Sequence, residues 1–153
     1  MDDRQRRLIG SVLVALQLAL IVALAALAIG AFVDAHVPAA AWLLLVAALA
    51  LGAWALWANR PGNFNIRPQP RAGGQLIWHG PYRWIRHPMY SAVIAGGVAC
   101  AWADGSIWGW LGAIALAAVL AVKASCEERW MLLEHPNYAS YRARTWRFVP
   151  GLY

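Results

Sequence analysis

Long uninterrupted apolar stretches alternate with short polar ones along the 153 residues of this chain. No charged residue occurs between Arg7 and Asp34, a run of 26 positions. A helix over residues 8–33 would be ~39 Å long at ~1.5 Å per residue, which exceeds the ~30 Å hydrocarbon core of a bilayer. The run is also longer than the ~7 to 15 apolar residues of a secretory signal peptide. The pattern therefore predicts a tilted transmembrane helix.

Three further apolar runs follow the first. Residues 37–58 come after a connection of only a few residues, so the first two spans are predicted to form an antiparallel hairpin. Two shorter runs, 88–102 and 106–122, are separated by a polar turn. The first of these would reach only ~22 Å, which is short for a span. The whole pattern predicts an all-α integral membrane protein with about four transmembrane helices, two long and two short.

Composition and charge placement support this architecture, because 61% of the residues are hydrophobic and only 13% are charged. With the N-terminus inside, the inner segments 1–7, 59–87 and 123–153 contain all 13 lysines and arginines, as the positive-inside rule requires. We therefore expect both termini in the cytoplasm, and the compact, alanine-rich chain favours a bacterial inner membrane. The net charge of +6 then reflects orientation and contact with anionic lipids. The dispersed basic residues argue against nucleic-acid binding.

Polar residues are concentrated in the inner loop, residues 59–87, which is rich in asparagine, proline and glycine at its start and so is predicted to be irregular. The loop ends in Arg86-His87 and is followed by Pro88, which can occupy the first turn of a helix. The free N–H groups of that turn could bind an anion, and Arg86 adds a forked donor. Alternatively, Arg86 binds lipid phosphate and His87 caps the helix. The residue types alone leave both interpretations open.

A second polar group follows the fourth apolar run. Lys123 and Glu127 are four residues apart and share one helix face. Glu127 and Glu128 point ~100° apart, so we expect at most one of them to face inward. A Lys/Glu pair at this spacing is often only a surface salt bridge. Here it lies on the same side of the membrane as the Arg86-His87 motif.

Taken together, these motifs resemble the isoprenylcysteine carboxyl methyltransferases, their bacterial homologues and the related phospholipid N-methyltransferases. The resemblance covers residues 59–150. It is carried by Asn63-Phe64-Asn65, Gly80-Pro81-Tyr82, Arg86-His87-Pro88-Met89-Tyr90, Glu127-Glu128, Tyr138-Ala139-Ser140-Tyr141-Arg142 and Phe148-Val149-Pro150.

This resemblance implies methyl transfer from S-adenosylmethionine to a lipophilic acceptor, by a core at 59–153 that follows an N-terminal hairpin at 1–58. It implies that Glu127 meets the ammonium group of the cofactor and that Lys123 orients the substrate, where the family has an arginine that holds the substrate carboxylate. Arg86 is the second predicted catalytic residue, and no metal is expected. The implied cofactor-binding residues are Gln69, Gly74, Gln75, Leu76, Ile77, Tyr82, His87, Pro88, Met89, Tyr90, Glu127 and Glu128.

The acceptor is open at this point. A carboxylate, as in isoprenylcysteine-type O-methylation, needs no general base, because its pKa is near ~4. A lipid amine would need deprotonation, for which Glu128 or His135 are candidates. Two other functions also fit: a nicotinamide-dependent reductase of the sterol-reductase type, although those enzymes have many more spans, and a non-enzymatic lipid-binding membrane protein.

The C-terminal residues alternate aromatic and basic side chains. This pattern predicts an amphipathic C-terminal helix on the inner membrane surface. The aromatic members are Trp130, Tyr138, Tyr141, Trp146 and Phe148, and the basic members are Arg129, Arg142, Arg144 and Arg147.

Overall fold

The computed structural model describes residues 3–34, 36–59 and 76–152. Within these residues the chain is all-helical and has no β-strand beyond one isolated bridge. The elements are α1 (Asp3–Val33), α2 (Ala39–Asn59), a 3-10 helix (Gly80–Arg83), α3 (Pro88–Asp104), α4 (Ile107–Glu134) and the short α5 (Tyr138–Ala143).

Three of these helices, α1, α2 and α4, are long and apolar enough to cross a membrane. Their outward faces carry large apolar side chains, and Val22, Ile29 and Leu43 are each more than 60% exposed. Soluble proteins rarely expose continuous apolar surface of this kind, so these faces suit contact with lipid. Helix α3 has 17 residues and would be ~25 Å long, so the count of four spans stays a prediction.

Helix α3 occupies the centre of the bundle, since it packs against α1, α2 and α4. The main packing partners of α1 are α3 and α4, whereas α2 packs on α3 and the 3-10 helix. Gly97 allows the close approach, because a Cβ there would lie 2.9 Å from Cδ2 of Leu116. Leu24 of α1 joins Leu116 and Leu120 of α4 in the fully buried core. The first two spans are therefore joined by a short turn but bury their surfaces mainly against α3 and α4.

Local sequence signals set the ends of α3 and α4. Pro88 is the first residue of α3, where the missing N–H costs nothing. Gly105 ends the helix in the left-handed conformation, with φ 68°. The Ser106 hydroxyl then accepts a hydrogen bond from the Gly109 amide and caps the start of α4.

The C-terminal part of the chain differs from the prediction. The amphipathic helix is only six residues long, because the preceding residues, including the buried Trp130, belong to α4. After α5 the chain leaves the helical conformation and returns to the start of α3, where Trp146 forms a parallel bridge with Ile85. The basic and aromatic side chains of this region are thus divided between surface and interior.

Candidate functional site

His87 lies at the centre of a polar cluster, directly before α3, and its side chain is buried. Its Nε2 atom is 3.1 Å from Oε1 of Glu128, and its Nδ1 atom is 3.3 Å from Oε2 of Glu127. The expectation that only one of the two glutamates faces inward is wrong, because one imidazole contacts both. His87 occupies the N-cap position of α3, but its side chain makes no capping hydrogen bond and contacts the two glutamates instead.

The two carboxylates favour the charged form of His87. Burial alone would lower the pKa of the imidazole, but the hydrogen bonds to Glu127 and Glu128 and their negative charges raise it above its ordinary value. In the protonated ring both nitrogens are donors, which matches an acceptor on each side.

Glu128 is the most enclosed carboxylate of the cluster, with 2% of its side chain exposed. Arg86 donates from Nε to Oε1 at 3.0 Å. Arg147 donates from Nε to Oε1 at 3.1 Å and from Nη2 to Oε2 at 3.0 Å, which is the forked geometry that strengthens such pairs. His87 is a further partner of Oε1, so both carboxylate oxygens of Glu128 have hydrogen-bond partners within the protein.

Arg86 also connects the start of α3 to the C-terminal segment. Its Nη1 group donates to the carbonyl oxygens of Arg142, at 3.1 Å, and Thr145. The backbone amide of Arg86 donates to the Trp146 carbonyl at 2.8 Å, and that of His87 donates to the Arg147 carbonyl at 3.1 Å. The guanidinium predicted to be catalytic is therefore engaged by protein groups.

Glu127 has more open surroundings, with 21% of its side chain exposed. Its Oε1 atom accepts a hydrogen bond from the Tyr90 hydroxyl. The Tyr90 ring stacks on His87 with centroids 5.3 Å apart and planes within 4°.

Burial, and secondly the negative charge of Glu127, raise the pKa of Tyr82 to about 12, so this phenol stays neutral at physiological pH.

Lys123 lies one turn before Glu127 on α4 and is buried, with 2% of its surface exposed. Its Nζ atom is 5.0 Å from the centroid of the Tyr90 ring, a cation–π distance. It also donates to Oε1 of Gln17 on α1 at 2.9 Å.

The structure thus places most of the predicted site residues together. Leu76 and Ile77 lie in the irregular chain before the 3-10 helix, and both are partly buried. Gln69, Gly74 and Gln75 lie outside the described residues. The members that the structure brings into one region are Tyr82, Arg86, His87, Pro88, Met89, Tyr90, Lys123, Glu127 and Glu128.

Sequence reasoning missed four contributors to the cluster. Arg142 of α5, which was assigned to the surface, has its Nε atom 3.6 Å from Oε2 of Glu128. Arg147 was assigned to the surface with its basic neighbours. The Tyr141 hydroxyl donates to the Tyr82 carbonyl at 2.7 Å and fixes the 3-10 helix. Gln17 could have been found, because it is the one amide side chain in the apolar run 8–33.

This fold and cluster define a class: a small helical membrane protein whose acidic, basic and aromatic side chains converge where α3 begins and α4 ends. The family model for phospholipid methyltransferase matches residues 38–137, which is more than half of the chain. The chain therefore belongs to the phospholipid methyltransferase family, a family of membrane methyltransferases related to the isoprenylcysteine carboxyl methyltransferases. Members of this family in general use S-adenosylmethionine. No curated protein and no solved structure gives a significant match.

Proposed function

We propose that this protein transfers the methyl group of S-adenosylmethionine to a lipophilic acceptor in the membrane, by isoprenylcysteine-type carboxyl O-methylation or methylation of a related membrane lipid. The observation that carries the proposal is the contrast between two adjacent carboxylates. Glu128 is fully satisfied by two arginines and His87, whereas the neighbouring Glu127 is partly open. This is the arrangement expected when one carboxylate supports the site and the other binds a cationic ligand.

The residues present fit the polar groups of S-adenosylmethionine. The open edge of Glu127 suits its ammonium group. The backbone N–H groups of Met89 and Tyr90, in the first turn of α3, have no intrahelical acceptor and suit its carboxylate. Pro88 leaves this turn without an N–H of its own, so the donors begin at Met89.

The other members of the cluster are assigned to positioning. His87 fixes the carboxylates of Glu127 and Glu128 relative to each other through its two ring nitrogens. Arg86 and Arg147 neutralise Glu128 and attach the C-terminal segment to the start of α3. The mutual support of these groups holds Glu127 in one orientation, which is how a site gains precision.

When bound, S-adenosylmethionine supplies a methyl group that is already activated on a sulfonium. The chain then needs mainly to align the acceptor and exclude water. Lys123 is the residue assigned to the acceptor, because its ammonium is buried one turn from Glu127. A carboxylate acceptor would require no base from the protein, since it is ionised at neutral pH.

The proposed topology has four spans with both termini in the cytoplasm, in a bacterial inner membrane. Arg4, Arg6 and Arg7 at the start of α1 and the arginines after α4 then lie on one side. The cofactor would reach Glu127 from the cytoplasm, and the acceptor would arrive through the membrane.

Calorimetric titration of S-adenosylmethionine into the detergent-purified protein tests the proposal. We expect saturable binding to the wild type and loss of at least tenfold in affinity for Glu127→Gln. Glu134→Gln is the matched control, because Glu134 is an exposed glutamate on the same helix, and it should bind normally. Absence of binding to a folded wild-type sample would refute the methyltransferase proposal.

A further inference from the structure

Tyr138 and Tyr141, one turn apart on α5, pack in the same way but differ in their hydrogen bonding. Their ring centroids are 5.8 Å apart, and only 3% of Tyr138 and 9% of Tyr141 is exposed. The Tyr141 hydroxyl donates to the Tyr82 carbonyl. The Tyr138 hydroxyl makes no hydrogen bond to any residue in the part of the chain that the structure describes. Of the two phenols, only that of Tyr141 therefore has a polar partner among the described residues.

A phenol without a hydrogen-bond partner is unusual at a buried position. Buried tyrosines generally form a hydrogen bond, because removal of the O–H group from water is otherwise unfavourable. Phenylalanine would provide the same ring for packing without the oxygen. The packing of α5 thus does not account for the hydroxyl of Tyr138, which suits a partner that a ligand supplies.

Tyr138 lies beside the polar cluster, since the charges of Glu128, Arg86 and Glu127 all act on its phenol. Burial, and secondly the negative charge of Glu128, raise the pKa of this phenol well above its ordinary value of about 10. The hydroxyl therefore keeps its proton at physiological pH and can both donate and accept a hydrogen bond. Glu128 is hydrogen-bonded to two arginines and His87 but not to this phenol. The donor of Tyr138 thus remains available to a ligand.

The order of the residues along the chain indicates which part of the cofactor Tyr138 would meet. Lys123, assigned to the acceptor, lies one turn before Glu127 and so deeper in the span, whereas Tyr138 belongs to the segment that follows the inner end of α4. The ammonium group of S-adenosylmethionine is assigned to Glu127, and its carboxylate to the first turn of α3. The nucleoside half is the remaining polar part of the cofactor.

We propose that the Tyr138 hydroxyl forms a hydrogen bond to the nucleoside half of S-adenosylmethionine, which makes Tyr138 a cofactor-binding residue contributed by α5. This inference rests on the proposed function and adds a residue beyond the range 38–137 that the family model matches. The ribose hydroxyls and the adenine nitrogens are uncharged donors and acceptors, so a protonated phenol suits either of them.

Removal of the single oxygen atom tests the role of the hydroxyl without any methyl transfer. Tyr138→Phe should keep or raise the unfolding temperature in detergent, because it removes no hydrogen bond among the described residues. Calorimetric titration should show about three- to tenfold weaker binding of S-adenosylmethionine and of its demethylated product S-adenosylhomocysteine, the equivalent of one hydrogen bond. Ser140→Ala, which removes an exposed hydroxyl from the same helix, is the control and should match the wild type in both measurements.

Methylthioadenosine, which carries the nucleoside without the amino-acid group, locates the contact. Tyr138→Phe should weaken the binding of methylthioadenosine by the same factor as that of S-adenosylhomocysteine. Glu127→Gln should weaken only S-adenosylhomocysteine, because methylthioadenosine has no ammonium group. Unchanged affinity of Tyr138→Phe for methylthioadenosine, or a wild type that does not bind it, would overturn the assignment to the nucleoside.

Two further results would contradict a ligand-binding role for Tyr138. A lower unfolding temperature of Tyr138→Phe would show that the hydroxyl has a partner within the protein. Equal affinities of wild type and Tyr138→Phe for S-adenosylmethionine would overturn this inference and leave the methyltransferase proposal intact. A folded wild type that binds no S-adenosylmethionine would instead refute the methyltransferase proposal itself.

Discussion

Glu127 and Glu128 are adjacent in the chain but have different surroundings, and their substitutions should therefore have different effects. Glu128 neutralises Arg86, Arg147 and His87 in a buried position. Removal of one partner from a buried ion pair leaves uncompensated charge and costs about 3 to 5 kcal/mol. We predict that Glu128→Gln lowers the free energy of unfolding by that order, measured by thermal unfolding in detergent. Glu127→Gln should lose ligand binding with a much smaller loss of stability, and equal destabilisation by the two changes would contradict these roles.

His87 predicts a pH dependence of stability. Burial lowers the pKa of its imidazole, but the hydrogen bonds to Glu127 and Glu128 and their charges raise it above the ordinary value of about 6.5. The stabilisation is therefore complete below about pH 6.5 and is lost as the pH rises through the raised pKa. We predict that the difference in unfolding temperature between wild type and His87→Gln shrinks as the pH rises above about 6.5. A difference that grows as the pH rises would contradict a raised pKa of His87.

At the scale of elements, the segment after α5 packs against the start of α3 and supplies one member of the polar cluster. Trp146 and Arg147 make backbone hydrogen bonds to Trp84, Arg86 and His87. The Ser91 hydroxyl donates to the Phe148 carbonyl at 2.6 Å. These bonds set the position from which Arg147 reaches Glu128.

We predict that Arg147→Ala weakens the affinity for S-adenosylmethionine by about tenfold or more, because it frees one side of Glu128 and loosens the orientation of His87. Arg147→Lys should be intermediate, since it keeps the charge but loses the forked geometry. The control is Arg144→Ala, an exposed arginine of the same segment. Calorimetric titration measures all three, and wild-type affinity for Arg147→Ala would contradict a supporting role for the segment.

The 3-10 helix before α3 is fixed against α2 by one glycine. Gly80 has φ 59°, and a Cβ there would lie 2.8 Å from Cβ of Ala58. Gly80→Ala therefore combines backbone strain with a collision, and we predict a loss of about 1 to 3 kcal/mol in the free energy of unfolding. Gly151→Ala, at φ 82° with open space around it, controls for the strain alone. If the two variants lose the same stability, the contact with α2 is not important.

At the scale of the whole molecule, the positions of the lysines and arginines predict which segments of the chain face the cytoplasm. With Cys100 and Cys126 replaced by alanine, an impermeant maleimide should label Asp34→Cys in intact cells and should label Asn137→Cys only after the membrane is opened. Both positions are exposed, so accessibility depends on the side of the membrane. The reverse pattern would place the candidate site on the outside and contradict the proposed cytoplasmic entry of the cofactor.

The sequence predicts the first two helices well, because each uninterrupted apolar run gives the presence and the approximate length of a helix. The run 106–122 covers only part of α4 (Ile107–Glu134), which continues as a helix through Lys123, Glu127 and Glu128, so the prediction that this span is short is wrong. The runs 8–33 and 37–58 correspond to Asp3–Val33 and Ala39–Asn59 in the structure. Hydropathy carries no information on which helix packs on which, so the contact of α1 with α4 and the pair Gln17–Lys123 could not be predicted.

The site could be predicted only in part, because the sequence pattern does not show which distant residues the fold brings together. The polar motifs, together with the family resemblance, made Arg86, His87, Glu127 and Glu128 candidates, and the structure places them in one cluster. Arg147 was missed, because an arginine that turns inward has the same sequence pattern as its exposed neighbours. The return of the chain after α5 brings Arg147 to Glu128, and Arg142 within α5 lies 3.6 Å from Oε2 of the same carboxylate.

Methyl transfer by this protein is tested most directly by following the methyl group itself. Purified protein in lipid vesicles is incubated with S-adenosylmethionine carrying a labelled methyl group, and the label is counted in the organic-solvent extract. We predict transfer to a lipophilic acceptor by the wild type and by Glu134→Gln, and background label for Glu127→Gln. Background label for a wild-type protein that binds the cofactor, across vesicles that contain long-chain carboxylates, phospholipids and prenylated carboxylates, would contradict the account.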